Sequence, residues 1–153
     1  MKSFTLGGVS LSMRWDSRWT LQDPAADAPD AVKFQSPDAL QMSTLLSAGQ
    51  VPPDADESEF RAAVMDKTSK EFLQQSVEKE LKVESFGSGD IHGSKVCATD
   101  RAPKPNEYKY ICQGILTHGG DAVIFTLLYN DSGKADANQA LSALEGLQFT
   151  TST

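Results

Sequence analysis

Residues 122–129 read AVIFTLLY, eight positions that are almost all apolar and rich in β-branched or aromatic side chains. The run is far shorter than the roughly 20 apolar residues a membrane helix needs. THGGD (117–121) precedes it and NDSGK (130–134) follows, both with turn chemistry. Such a segment predicts a central β-strand covered on both faces. It therefore demands other strands beside it and helices above and below it.

The rest of the chain supplies both. In VSLSMRW (9–15), Val9, Leu11, Met13 and Trp15 alternate with Ser10, Ser12 and Arg14, the period of two of a half-buried strand. Asp16-Ser17 is a short turn, and RWTLQ (18–22) resumes the alternation as its partner. DPAADAPD (23–30) is an acidic loop. AVKFQSPDALQMSTLL (31–46) predicts a hairpin: Val32 and Phe34 alternate, Ser36-Pro37-Asp38 turns the chain, and Leu40 and Met42 alternate again. AGQVPPDADES (48–58) carries two prolines and reads as a second loop.

Asp56 followed by Glu59 resembles a capping box, and good helix formers continue to about Glu80. The apolar set there is Phe60, Ala63, Val64, Phe72, Leu73 and Val77, with a break at 66–70 that predicts a kink or a change of buried face. Strands follow at 81–86, 91–99 and 108–116, and a helix at 135–146 presents Ala137, Ala140, Leu141 and Leu144 before Gly146 stops it. The tail from 148 is a short strand or irregular. The connections are too short for parallel crossovers. The fold class is α+β: one domain over 1–153, with a largely antiparallel sheet of about six to seven strands flanked by helices.

KVCATDRAPKPNEYKYICQG (95–114) holds both cysteines, Cys97 and Cys112. If the chain turns around Lys104, they face each other across an antiparallel pair, where opposed Cα atoms lie about 4.5 to 5.5 Å apart. That suits a disulfide, and closing a loop of about 15 residues contributes roughly 3 kcal/mol in the chain-entropy model. Reduced core cysteines are the alternative. A redox-active pair fits less well, because Cys-x-x-Cys chemistry needs closer spacing. A disulfide implies work outside the reducing cytosol, in the periplasm or another extracytoplasmic space. The N-terminus MKSFTLGGVSLSM lacks the apolar core of a secretion signal. Two cases fit: a complete cytosolic chain, or a mature exported domain whose leader has been cut away.

The chain carries 14 basic and 21 acidic residues, a net charge of −7. That opposes nucleic-acid binding and attraction to anionic lipid, and it suits either solubility or a basic protein partner. No catalytic set is evident. The only histidines are His92 and His118, and FGSGD (86–90) lacks the spacing and context of a nucleophile elbow. A cysteine–histidine pair on adjoining strands is conceivable, against histidines merely exposed at strand ends. Asp90, His92, His118 and Asp121 are the only candidate metal cluster, but the two histidines fall far apart along their hairpin unless the register helps. No catalytic residue, metal or cofactor is expected.

The layout resembles the PsbP/Mog1-like family of small domains. The resemblance covers most of the chain: VSLSMRW…RWTLQ, the hairpin KFQSPDALQMST, the long middle helix, the meander GDIHGSKVCATD…YKYICQG, AVIFTLLY, and ALSALEGLQFT. It implies an α/β/α sandwich and mainly non-enzymatic roles: extrinsic photosystem subunits, regulators of a nuclear-transport GTPase, envelope lipoproteins, and accessory proteins of secretion systems. No shared catalytic set comes with it.

Function is then expected at a surface. Trp15 and Trp19 flank a turn and are candidates for a partner hot spot, or else core. The acidic loops offer Asp23, Asp27, Asp30, Asp54, Asp56 and Glu57 to a basic partner, and the 100–107 hairpin loop offers Arg101, Lys104 and Asn106. The expected activity is non-enzymatic protein binding in the bacterial envelope, by an immunity-type inhibitor or accessory protein that holds a secreted effector or envelope protein. An extrinsic structural subunit or a secretion chaperone is the alternative, and an enzyme with a histidine or metal site a more distant one.

Overall fold

A computed structural model describes residues 1–22, 30–38, 41–105 and 107–150. The expected strand residue Leu40 and the interface candidates Asp23, Asp27 and Asn106 lie outside them. The strands are β1 (Lys2–Leu6), β2 (Val9–Met13), β3 (Thr20–Gln22), β4 (Ala31–Gln35), β5 (Met42–Gln50), β6 (Glu84–Phe86), β7 (His92–Thr99), β8 (Tyr110–His118), β9 (Asp121–Tyr129) and β10 (Gln148–Thr150). The helices are α1 (Glu57–Leu73) and α2 (Lys134–Glu145). Seven strands form one antiparallel sheet in the order β3-β4-β5-β9-β8-β7-β6, and β1-β2-β10 form a smaller sheet.

The α+β, largely antiparallel architecture stands as expected, and so does the central place of β9. Val123, Phe125 and Leu127 on one side of that strand are fully buried. They belong to the main core with Val32, Phe34, Leu46, Leu116, the inner residues of β1 and β2, and Ala137, Ala140 and Leu144 of α2. The other side of β9 is a correction. Ile124, Thr126 and Leu128 are only half-buried, and Leu45, directly opposite Thr126, is 44% exposed. The cause is the position of α1, which packs on β7 and β8 around Met65, Val96 and Ile115. The β4–β5 half of that face has no helix over it among the described residues.

Local signals place the turns and the helix start. Asp56 caps α1, its carboxylate accepting the Glu59 N–H at 3.1 Å. Gly119 and Gly120 both take positive φ, +56° and +88°, as a two-residue hairpin turn requires.

One pairing and several element ends differ from expectation. VSLSM does not pair with 18–22: β2 lies between β1 and β10, while β3 pairs with β4. β5 runs on to Gln50, because β9 offers Asp121 opposite it. α1 is one continuous helix whose stripe passes through buried Met65 and Thr68, and it stops at Leu73 rather than near Glu80. Beyond it, Gln75 accepts the Arg101 N–H (2.9 Å) and the Val77 N–H reaches Thr99 (2.9 Å), so the segment joins the hairpin instead of the helix. Only the last three residues of 81–86 are strand.

Candidate functional site

Cys97 and Cys112 are directly opposite in the β7–β8 register and form a disulfide, with Cα atoms 4.0 Å apart. The bond removes both thiols from any cysteine–histidine chemistry. The same register corrects the expectation for the histidines. His92 stands opposite Thr117, one residue from His118, so they are close along the sheet. Strand alternation turns them to opposite faces. His92 borders the α1 side, and His118 packs on Phe149 and lies 3.4 Å from the Asp90 carbonyl. Among the described residues no three His, Cys, Asp or Glu side chains come together as metal ligands.

The surface candidates divide. The indole of Trp19 is core: it stacks on Phe34 at 5.1 Å and meets Trp15 edge-on at 5.4 Å. It offers no open hot spot, because its apolar area is already spent against the sheet. Trp15 is half-buried. Asp30 and Asp54 are exposed, with the Asp30 carbonyl accepting from Ala48. Asp56 and Glu57 serve α1: the first caps it, and the second accepts the Gly120 N–H at 2.7 Å, tying the helix to the β8–β9 turn. Arg101 is likewise engaged, its guanidinium on the Gln74 carbonyl at 3.1 Å, where it satisfies a free carbonyl at the end of α1. Lys104 is exposed at the loop tip.

The anchored loop and the end of α1 together enclose a half-open cleft of about 440 Å³. Its apolar surface comes from Phe72, Ala98, Ile111 and Leu128, and its rim carries Glu71, Asp100, Glu107 and Lys109. Ser76 bridges to Asp100, and its hydroxyl donates to the Glu78 carboxylate, which also accepts the Thr99 N–H at 3.0 Å. Burial pushes the Glu78 carboxyl up, but the Ser76 and Thr99 hydrogen bonds outweigh it and hold its pKa at about 2. That clamp fixes one wall. The opposite wall is set by Asn130, whose side-chain carbonyl accepts the Lys109 N–H at 2.8 Å, and by Tyr110, which donates to Asp131 at 2.6 Å and stacks on Tyr129 at 4.9 Å.

The charges around the cleft are unequal. Lys109 is paired with Asp131 at 3.4 Å, and its pKa is raised by the Tyr110 hydroxyl and by Asp131. The Glu71 and Glu107 carboxylates make no ion pair among the described residues. An apolar floor beneath unpaired carboxylates accommodates an aliphatic stem that ends in a cation. Glu71, Phe72, Glu107, Ile111 and Leu128 carried no sequence signal as a group. They come from a helix, a loop and two strands, and only the topology makes them neighbours.

Helix order, sheet order and the place of the cleft can be set against known proteins. No family model matches the sequence, and no curated protein matches it. Among solved structures, the solution structure of cyanobacterial PsbP (CyanoP) from Synechocystis sp. PCC 6803 superposes with a TM-score of 0.65, covering 97% of this chain and 92% of that one at 10% identity. The fold is PsbP-like. A crystal structure from Bacteroides thetaiotaomicron VPI-5482 matches with a TM-score of 0.57 and 16% identity over 98% of this chain, which spans about half (48%) of that protein. At these identities the PsbP-like likeness is one of fold alone.

Proposed function

We propose that this PsbP-like protein is a non-catalytic binding module of the bacterial envelope, an immunity-type inhibitor or accessory protein that holds a secreted effector or envelope protein. The cleft between α1 and the β7–β8 loop carries this reading: an apolar floor with two carboxylates that no cation of the described residues neutralises. A basic segment of a partner complements it, and the net charge of −7 favours the same encounter at long range. The Cys97–Cys112 disulfide fits an extracytoplasmic setting, and no helix among the described residues is long and apolar enough to cross a membrane.

The test is site-specific photo-crosslinking in the native envelope. A crosslinker at Gln75, exposed at the cleft, is expected to join one dominant protein, and one at Asn138, exposed on α2, is not. Reversing both rim charges, Glu71→Lys with Glu107→Lys, lowers capture about tenfold. Both residues are exposed, so folding changes little. No product at Gln75, or capture indifferent to the reversed charges, overturns the reading.

A further inference from the structure

A half-open groove of about 950 Å³ lies between α1 and the β6–β7 edge of the sheet, separate from the cleft at the end of that helix. Its volume is near the upper end of the range for small-molecule sites. Ser58 and Arg61 line it from the first turns of α1, and Ser85, His92 and Ser94 line it from the two strands. His92 and Ser94 are two positions apart on β7, so they share the face that carries Val96 and that α1 covers.

Arg61 is the unusual member. It is half-buried, yet it makes no ion pair among the described residues. A cation drawn part-way out of water ordinarily meets a carboxylate. The nearby acids are committed elsewhere. Glu57, one turn earlier on α1, accepts the Gly120 N–H at 2.7 Å. Asp66 is paired with Lys70 at 3.0 Å. Glu145, also at the groove, is exposed, so water and salt screen it. The one hydrogen bond that Arg61 makes among the described residues runs from Nη1 to the hydroxyl of Thr117. Thr117 is fully buried, and its hydroxyl donates in turn to the His92 carbonyl at 3.4 Å. A neutral hydroxyl does not cancel the charge of the guanidinium, but it fixes the group against the sheet. The Nε and Nη2 donors form the fork that holds an oxyanion by two parallel bonds, and they are unspent in a residue that lines the groove.

We propose that this groove binds an oxyanion carried on a hydroxylated body. The anion sits on the Arg61 fork, and the hydroxyl groups of the body exchange hydrogen bonds with the serines and His92. A sugar phosphate and a sugar acid share this chemistry. The groove and the cleft are independent of each other, so either can fail without the other.

The chain has two histidines, on opposite faces of the sheet, so the imidazole Cε1–H signals of the full protein supply one probe at the groove and one away from it. His118→Gln identifies which signal is which. At constant pH, glucose 6-phosphate is expected to displace the His92 signal in a saturable way and to move that of His118 far less, while neutral glucose binds about tenfold more weakly. Arg61→Gln weakens binding of the phosphate by a similar factor, with the His118 signal at its native position as the sign that the fold is kept. Gluconate distinguishes the sources: tighter binding than glucose 6-phosphate assigns a sugar acid, weaker binding a sugar phosphate. The proposal is overturned if the His92 signal stays in place at about 10 mM of both anions. It is equally overturned if glucose displaces the signal as readily as either anion, or if the folded Arg61→Gln protein binds them as the native chain does. Should that variant not fold, the comparison of charged and neutral ligands on the native chain decides alone.

Discussion

One face of the seven-stranded sheet is closed by α2 and the small β1-β2-β10 sheet, and the other is half-closed by α1. On the first face the core runs without interruption from Val32 and Phe34 through Leu46, Phe125 and Leu116 to Phe86. On the second, the fully buried set is Met65, Val96 and Ile115, and Leu45 stands exposed beyond it. Both faces are built on the same strands, so the difference lies in what covers them. One helix is about 10 Å wide, and strands are spaced about 4.8 Å apart. One helix therefore covers about two strands, and α1 has taken β7 and β8. The closed face provides stability, and the cleft opens where the cover on the other face ends.

Neighbouring leucines on β9 put that contrast to the sharpest test. Leu127 is fully buried on the closed face, and Leu128 is half-buried at the cleft. Leu127→Ala is expected to cost about 3 to 5 kcal/mol in denaturant unfolding, the range for truncating a core leucine. Leu128→Ala should cost about 1 kcal/mol, since much of its surface is already in water. Equal losses would mean that the two faces are equally closed.

The disulfide comes next. Cys97→Ala with Cys112→Ala should lower stability by roughly 3 kcal/mol for a separation of 15 residues, read from chemical denaturation under non-reducing conditions. Free thiols in protein taken from its native compartment would show that the bond does not form there.

The smallest effect belongs to the clamp at the cleft. The folded pKa of Glu78, about 2, lies below its ordinary 4.5, so its contribution is present above pH 4.5 and is lost as the pH falls towards 2. Solvent screening limits this to about 1 kcal/mol or less. Glu78→Gln should flatten the acid side of the stability profile over that window and leave its shape near pH 7 unchanged. An unaltered acid slope would show that Ser76 and Thr99 do not hold the carboxylate.

Much of the fold was legible in short windows. Asp56 and Glu59 announced the start of α1, and the Gly119-Gly120 turn announced the β8–β9 hairpin. The opposition of Cys97 and Cys112 followed from two strands and the loop between them. β1 was missed, although its signal was present. Gly7 and Gly8 take φ of +53° and +80°, the same turn chemistry as the later glycine pair, with Phe4 and Leu6 alternating before them. The overlong α1 failed for a different reason. Residues 74–80 are acceptable helix formers, but Arg101 and Thr99 compete for their backbone groups, and tertiary hydrogen bonds override a propensity of a few tenths of a kcal/mol per residue.

The sequence by itself determined the class of the fold, its antiparallel sheet and its hairpins, because a period of two, a cap or a turn is decided by residues within a few positions of each other. The pairing of β2 with β10, the side of the sheet each tryptophan and histidine faces, and both cavities were decided only in three dimensions. They depend on contacts such as Arg18 with Asp136, 118 residues apart, and on where a helix settles over a sheet wider than itself. That position is set by the sum of many side-chain contacts, and no single stretch of the chain encodes it.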